Sequence, residues 1–297
     1  MQDSRPEKTK IEAVIFDLDG TMDNQIVGHE FFHYVHHRLT DSSNQQSSGM
    51  SEGWGDVDAF MLSARPEDVL IPGNDKWQGA YGLAGYVING FYSGIRRAPY
   101  STTLATNGYT LKHLADGEVT PDGGPGTSNS EVHNAGEIWA NQMWECYAGL
   151  LNRYPFPQAR TRMQDYIIAG LKGTPADATF VEARDAILAA AKAVDNCDYL
   201  ICANAFAKRG SGPDAVAPAR DSTDLTGITE DFTPFGEACP ALVPPVIPPT
   251  TPPGGGVTPP PPVTAPVGNS GRFGGGALGM WLLLPLMGLS LRRRRLR

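Results

Sequence analysis

IVGHEFFHYVHHRL, residues 26–39, sets a His, a Glu and a second His inside an otherwise apolar and aromatic run. Read as a helix, it places His29 and His33 one turn apart on a single face, close enough for both imidazoles to reach one ion. HExxH on a helix is a zinc pattern. Two neutral imidazoles bind the metal, and the Glu beside the first of them, here Glu30, takes a proton from water. Three fixed letters can also arise by chance, and two histidines leave zinc under-coordinated, since a catalytic site takes three protein ligands and keeps one position open. A third ligand has to come from elsewhere in the chain.

GMSEGWGDVDAFML, residues 49–62, offers one. Glu52 and Asp56 are again one helical turn apart, so a Glu that ligates metal and an Asp that holds the outer nitrogen of a ligand imidazole share a face. The rival zinc arrangement needs Gly at position 36 and His at 39; the chain has His36 and Leu39, which excludes it.

HEFFHYVHHRLT followed by MSEGWGD resembles the fungalysin metallopeptidases, relatives of thermolysin in the HExxH-plus-Glu class. The resemblance runs from about Asp19 to Gly212 and includes EVHNAGEIWANQMWECYAGLLNRYP (131–155), DATFVEARDAILAAAKAV (177–194) and NAFAKRGSG (204–212). It implies that His29, His33 and Glu52 bind Zn2+, that Glu30 is the general base, and that Asp56 orients a ligand histidine. His133, in VHNAGE, resembles the histidine that stabilises the oxyanion of the tetrahedral intermediate in thermolysin-like enzymes. A tyrosine usually assists it, and Tyr100 in GIRRAPYST is the candidate, with Tyr92 and Tyr109 as alternatives. Arg96 or Arg97 of the same segment is the candidate for holding a substrate carbonyl. Protein or peptide substrates are the implied partners.

His36 and His37 extend the first helix and are expected to be helix-end or packing residues, and His113 a surface residue. Of the four cysteines, Cys197 and Cys202 lie close together, Cys239 follows, and Cys146 falls within a predicted helix. They suit disulfides in an exported protein or buried free thiols.

With 297 residues, 41% of them hydrophobic, the chain can build a sizeable core up to about residue 240. A formal charge of −8 and a pI near 5.2 argue against nucleic acid as a partner. The pattern predicts helices at about 24–38, 51–63, 79–95, 130–152, 158–171 and 179–194, the last opening with a capping box, Thr179 to Glu182. The expected fold is mainly α, the helical C-terminal half of a thermolysin-like protease, followed by a proline-rich linker and a short apolar tail helix.

Four segments are expected: 1–22, a peptidase body over 23–238, a linker over 239–273, and a tail over 274–297. The linker, PALVPPVIPPTTPPGGGVTPPPPVTAPVGNSG, carries no charge and suits an extended spacer. In the tail a glycine run leads into an apolar stretch, 277–291, stopped by Arg292 to Arg295. That order resembles the GlyGly-CTERM class of sorting signal, cut near the glycines after export; a plain membrane anchor is the alternative. Either way the peptidase body would face outward, extracellular or on the cell surface.

The opening residues, MQDSRPEKTK, are charged and contain no secretory h-region. KIEAVIFDLDGT, residues 10–21, resembles the first motif of the haloacid dehalogenase phosphatases, with Asp17 and Asp19 as its acidic pair, but the chain offers none of the later pieces of that site. DGTMDN, residues 19–24, also resembles the DG-x-x-DN entry to the fungalysin HExxH helix, one residue shorter, as though two gene segments met at the shared DGT. Only some 28 residues precede His29, so the β-rich half of a thermolysin-like enzyme is expected to be missing, with one face of the HExxH helix uncovered and proteolysis weak. A non-catalytic zinc module and a phosphatase are the alternative functions.

Overall fold

The computed structural model describes residues 23–40 and 42–239, all within the first of two compact units, Met1–Val246. The architecture is mainly α, as expected: α1 (Asn24–Leu39), α2 (Gln45–Ser63), the single turn α3 (Gly85–Ile88), α4 (Val132–Arg153), α5 (Phe156–Gly173), α6 (Phe180–Val194) and α7 (Asn196–Lys208). Short 3-10 turns lie at Pro66–Leu70 and Leu111–Leu114, and extended pairing among the described residues is limited to isolated bridges such as Tyr81 with Tyr100. No helix of the described residues is long and apolar enough to cross a membrane. The apolar stretch 277–291, the proline-rich linker beyond residue 239, and the Asp17 and Asp19 pair lie outside the described residues.

Each helix start has a chemical cause. Asp23 caps α1 by accepting from the Gln25 amide at 2.9 Å, and the Arg38 cation occupies the last turn, where positive charge interacts favourably with the helix dipole. Asn44 caps α2 through the Ser47 amide at 2.7 Å, so this helix begins well before the predicted Ser51 and Glu52 falls inside it, not in its fraying first turn. Thr179 and Glu182 form the predicted capping box of α6.

Helix α4 is buried along nearly its whole length and forms the centre of the core. Trp139 and Trp144, both fully buried, make edge contacts with Trp54 and Phe60 of α2 at ring-centroid distances of 5.1 and 5.0 Å. Glycines let α2 approach both neighbours at backbone distance. A Cβ on Gly53 would lie 2.6 Å from the carbonyl oxygen of Gly136, and one on Gly136 would lie 2.7 Å from the Glu52 Cβ. α2 is thereby clamped between α1 and α4, and these three helices carry His29, Glu30, His33, Glu52, Asp56 and His133.

The predicted helix over 79–95 does not form beyond α3. Ala84 and Asn89 adopt left-handed φ values of 52°, and Gly94 has φ of 64° with an ideal Cβ position only 1.6 Å from the Leu83 carbonyl oxygen. A chain that doubles back on itself at such range cannot keep helical dihedrals, and its five glycines lower helix propensity further. The loop is instead tied to α1: Gln25 Oε1 accepts from the Ala84 amide at 2.8 Å, and Asp23 Oδ2 from the Tyr86 amide at 3.1 Å.

Two disulfides resolve the cysteine alternatives. Cys146 pairs with Cys202, joining α4 to α7, and Cys197 pairs with Cys239. α7 itself has no counterpart among the expected helices. Its N-cap, Asp195, accepts from the Cys197 and Asp198 amides and is also the C-cap residue of α6, so no Gly or Pro marks the boundary. His113, expected on the surface, is 5% exposed and accepts from the Thr110 amide at 2.9 Å.

Candidate metal centre

α1 and α2 bring His29, His33 and Glu52 together. The two Nε2 atoms are 3.0 Å apart, Glu52 Oε2 lies 3.1 Å from His29 Nε2, and Glu52 Oε1 lies 3.6 Å from His33 Nε2. Ligand atoms placed about 2.0–2.1 Å from a tetrahedral ion stand roughly 3.3 Å from one another, which these separations bracket. Among the described residues this is the one group of three or more His, Cys, Asp or Glu side chains with convergent ligand atoms.

The outer nitrogens fix the tautomers. His29 Nδ1–H donates to Asp56 Oδ1 at 2.8 Å, and His33 Nδ1 shares a hydrogen bond with Ser51 Oγ at 2.9 Å, which turns both Nε2 atoms toward Glu52 and toward each other. Three electron-rich atoms at that range repel unless a cation sits among them. The same field shows in the acid–base balance: burial works against a charged His29, but Asp56 and Glu52 outweigh it and push its pKa up to about 9. Burial lowers His33 in spite of Glu52. Burial opposes ionisation of Glu52 as well, yet His29, His133 and His33 together hold it below its usual range. The donor set, the spacing and the demand for positive charge all fit zinc.

Asp56 is fully buried and saturated. Burial disfavours its charge, but Arg96 and His29 hold its pKa down at about 2. Arg96 grips it with both ends of the guanidinium fork, Nε to Oδ2 and NH2 to Oδ1, each at 2.7 Å, and the Tyr100 hydroxyl donates to Oδ2. Two expected roles change accordingly. Arg96 is 8% exposed and engaged with Asp56, so it does not offer its fork to a substrate carbonyl. Tyr100 is 1% exposed, with burial holding its phenol well above the usual range, and its hydroxyl points at Asp56 instead of toward an oxyanion. Of the other two tyrosines, Tyr109 is 6% exposed beneath the Arg97 guanidinium, whose carbon stands 4.5 Å from the ring centroid, while Tyr92 stays on the surface.

His133 approaches from the N-terminus of α4. Its Nε2 lies 3.4 Å from Glu52 Oε2, and its Nδ1–H donates to Glu131 Oε1 at 2.7 Å. Glu131 is the α4 N-cap, accepting from the His133 and Asn134 amides, and no sequence motif had singled it out. Arg97 braces this turn. It donates to Glu137, to Asn129 Oδ1 and to the Asn134 carbonyl at 2.8, 3.1 and 2.6 Å. Glu30, next to His29 on α1, is exposed and acts electrostatically on His33.

The outer face of α1 is open, with Phe31 60% and Tyr34 58% exposed. A cavity of about 740 Å³ lies at its N-terminal end, lined by Asp23, Gln25, Leu62, Tyr86 and Phe91 among others; it includes none of the three ligand residues.

The model of the fungalysin metallopeptidase family (M36) matches residues 12–215, a span that takes in every candidate site residue as well as Asp17 and Asp19. The extracellular metalloproteinase mep of Aspergillus terreus is 31% identical over 222 residues, 67% of this chain and 31% of that protein. The extracellular metalloproteinase MEP of Neosartorya fischeri is 30% identical over 234 residues, 71% of this chain and 33% of its own. Extracellular metalloproteinase 3 of Trichophyton rubrum is 31% identical over 226 residues, covering 69% and 32%. The chain thus spans about a third of the length of these three relatives.

Proposed function

We infer, from the premise that this chain belongs to the fungalysin (M36) metallopeptidases, that its centre hydrolyses internal bonds of protein or peptide substrates. One observation supports the inference most: two imidazoles and a carboxylate from different helices present bare ligand atoms to a common point, with Asp56 behind one of them. His29, His33 and Glu52 would hold zinc, and bound zinc supplies a Lewis acid for the scissile carbonyl and acidifies water.

The chain's own groups do the rest. Glu30 takes the proton of the attacking water and delivers it to the leaving amine, which suits its place beside His29 on an exposed edge of α1. His133, its ring held through Nδ1 by the Glu131 carboxylate, directs Nε2 to the oxyanion that forms as water adds to the carbonyl. Asp56 holds the His29 ring in the tautomer that leaves Nε2 free to ligate.

The relatives bear the name extracellular metalloproteinase, and two disulfides suit an oxidising compartment, so we place the protein outside the cell. The glycine, apolar and arginine order of residues 274–295 supports a sorting or anchoring role for the tail.

Purified protein should contain one equivalent of zinc, lost in His29→Ala and in Glu52→Ala. Casein cleavage should vanish with a chelator and fall by several orders of magnitude in Glu30→Gln, which should keep its metal. Metal-free wild-type protein, or Glu30→Gln with full activity, would refute this function. The exposed Phe31 and Tyr34 favour one second reading, a zinc-binding module that awaits a covering partner; stoichiometric zinc with no cleavage of casein identifies it.

A further inference from the structure

We propose that Tyr100 is a positioning residue for the metal centre: its hydroxyl, through Asp56, fixes the orientation in which His29 presents Nε2. The proposal rests on the zinc reading given above. It differs from the substrate-facing role that the sequence suggests for this tyrosine.

A carboxylate has about four directions in which it accepts hydrogen bonds, and a buried one loses stability for each that is left empty. Asp56 has four donor contacts. Oδ1 accepts from His29 Nδ1 and Arg96 NH2, and Oδ2 accepts from Arg96 Nε and the Tyr100 hydroxyl. The Arg96 fork across both oxygens and the Tyr100 hydroxyl on Oδ2 together set the plane of the carboxylate, and that plane sets where Oδ1 stands relative to the imidazole. With the phenol removed, Oδ2 keeps one donor, and Oδ1 becomes the better-solvated of two unequal oxygens. The bidentate Arg96 remains, but the carboxylate gains freedom about its terminal torsion, which is soft, and the His29 ring follows it.

Tyr100 is itself held by a frame that does not include the ligands. Its backbone makes a two-way bridge to Tyr81, each N–H donating to the opposite carbonyl at 2.9 Å. Its ring packs on Phe60 with a centroid distance of 5.5 Å, and Phe60 lies one turn beyond Asp56 on α2. The hydroxyl is therefore delivered from a fixed point to a fixed carboxylate. With 1% of the residue exposed, no substrate atom reaches it, so any effect on the centre must pass through Asp56.

The test measures zinc affinity by chelator competition and the visible spectrum of the Co2+-loaded protein, alongside thermal unfolding of the metal-free protein. Tyr100→Phe, which deletes one oxygen, should bind zinc about tenfold more weakly and alter the Co2+ spectrum. In an Asp56→Asn background the same change should alter zinc affinity less than twofold. Phe60→Leu, which loosens the packing of the same ring but keeps its hydroxyl, should lower thermal stability and weaken zinc binding less than Tyr100→Phe does. In wild-type protein the Tyr100 hydroxyl proton should exchange slowly and cross-relax with the His29 Nδ1 proton, a readout that needs no variant. Tyr100→Phe with wild-type affinity and spectrum, an equal effect in the Asp56→Asn background, or a fast-exchanging hydroxyl would overturn the proposal and leave the zinc reading standing. Wild-type protein that takes up no metal would overturn both.

Discussion

Gly55→Ala is the sharpest probe of how the metal centre is built, because this glycine is where α2 passes behind the His29 ring. A Cβ placed there would lie 2.5 Å from His29 Nδ1 and 2.7 Å from its Cε1 and Cγ. Ordinary contact begins near 3.4 Å, so the ring or one helix must move by roughly 1 Å. The ring cannot turn freely, since its Nδ1–H is bonded to Asp56 at 2.8 Å. Ligand distances at a zinc site tolerate about 0.2 Å, so the displacement should weaken zinc binding by at least about tenfold. Stability responds much less. Overpacking costs about 1–3 kcal/mol, while Ala for Gly inside a helix returns about 1 kcal/mol, leaving a net loss of roughly 0–2 kcal/mol.

The assay pairs chelator competition with urea unfolding of the metal-free protein. Gly173→Ala is the control, because its new methyl would meet only the Ala186 Cβ at 3.9 Å and should leave zinc affinity unchanged. Gly55→Ala with zinc affinity within about twofold of wild type would refute the claim that the ring is clamped between α2 and Asp56.

Three further outcomes follow from the packing. His36 is 2% exposed, and burial, then His37 and His33, lowers its pKa to about 4; its unfolded value near 6.5 means that stability is full above that pH and falls as pH drops toward 4. Wild type should lose roughly 2 kcal/mol more than His36→Gln between pH 7 and pH 4.5 in urea titrations; parallel curves would contradict this. Asp58 has the opposite sign: burial raises its carboxyl to about 6, so the folded state is penalised as pH rises from its unfolded value through 6. Asp58→Asn should therefore be about 1–2 kcal/mol more stable than wild type at pH 8, with the gain shrinking toward pH 4. Arg97→Ala leaves the buried Glu137 carboxylate without its main partner and should cost about 3 kcal/mol, part of it recovered by Glu137→Gln; a surface-like loss under 0.5 kcal/mol would be the contrary result.

The parts of the centre that the sequence disclosed are those in which helix geometry alone sets the spacing. Residues 29 and 33 share a face of any helix, and so do 52 and 56, so the pairs were legible before their helices were placed. What joined the pairs is less visible in one dimension: Gly53, Gly55 and Gly136 look like helix-weakening residues, yet they allow the backbone approach that brings Glu52 to the histidines and α4 to Glu52. The loop over 79–95 failed for the converse reason. Its apolar residues repeat as a helix would, but tertiary hydrogen bonds to Asp23 and Gln25 and the close return at Gly94 decide its path. Arg96 and Tyr100 follow that loop, so their chemistry was readable and their direction was not.

That direction has an electrostatic consequence. Were a divalent ion bound with neutral imidazoles, Glu52 would contribute one negative charge beside it, and Asp56 a second within hydrogen-bond range of His29. Left alone, the pair would cancel a divalent cation and reduce its power to polarise a carbonyl. Arg96, bidentate to Asp56 and 8% exposed, returns one positive charge to the same buried volume. Tyr100 adds a donor without adding charge. Asp56 can therefore orient His29 while the centre as a whole keeps one net positive charge. Had Arg96 pointed to solvent, the orientation of His29 would have come with a weaker electrophile. On the proposed function, the guanidinium that the sequence offered as one candidate for the substrate would instead preserve the charge that favours attack by water.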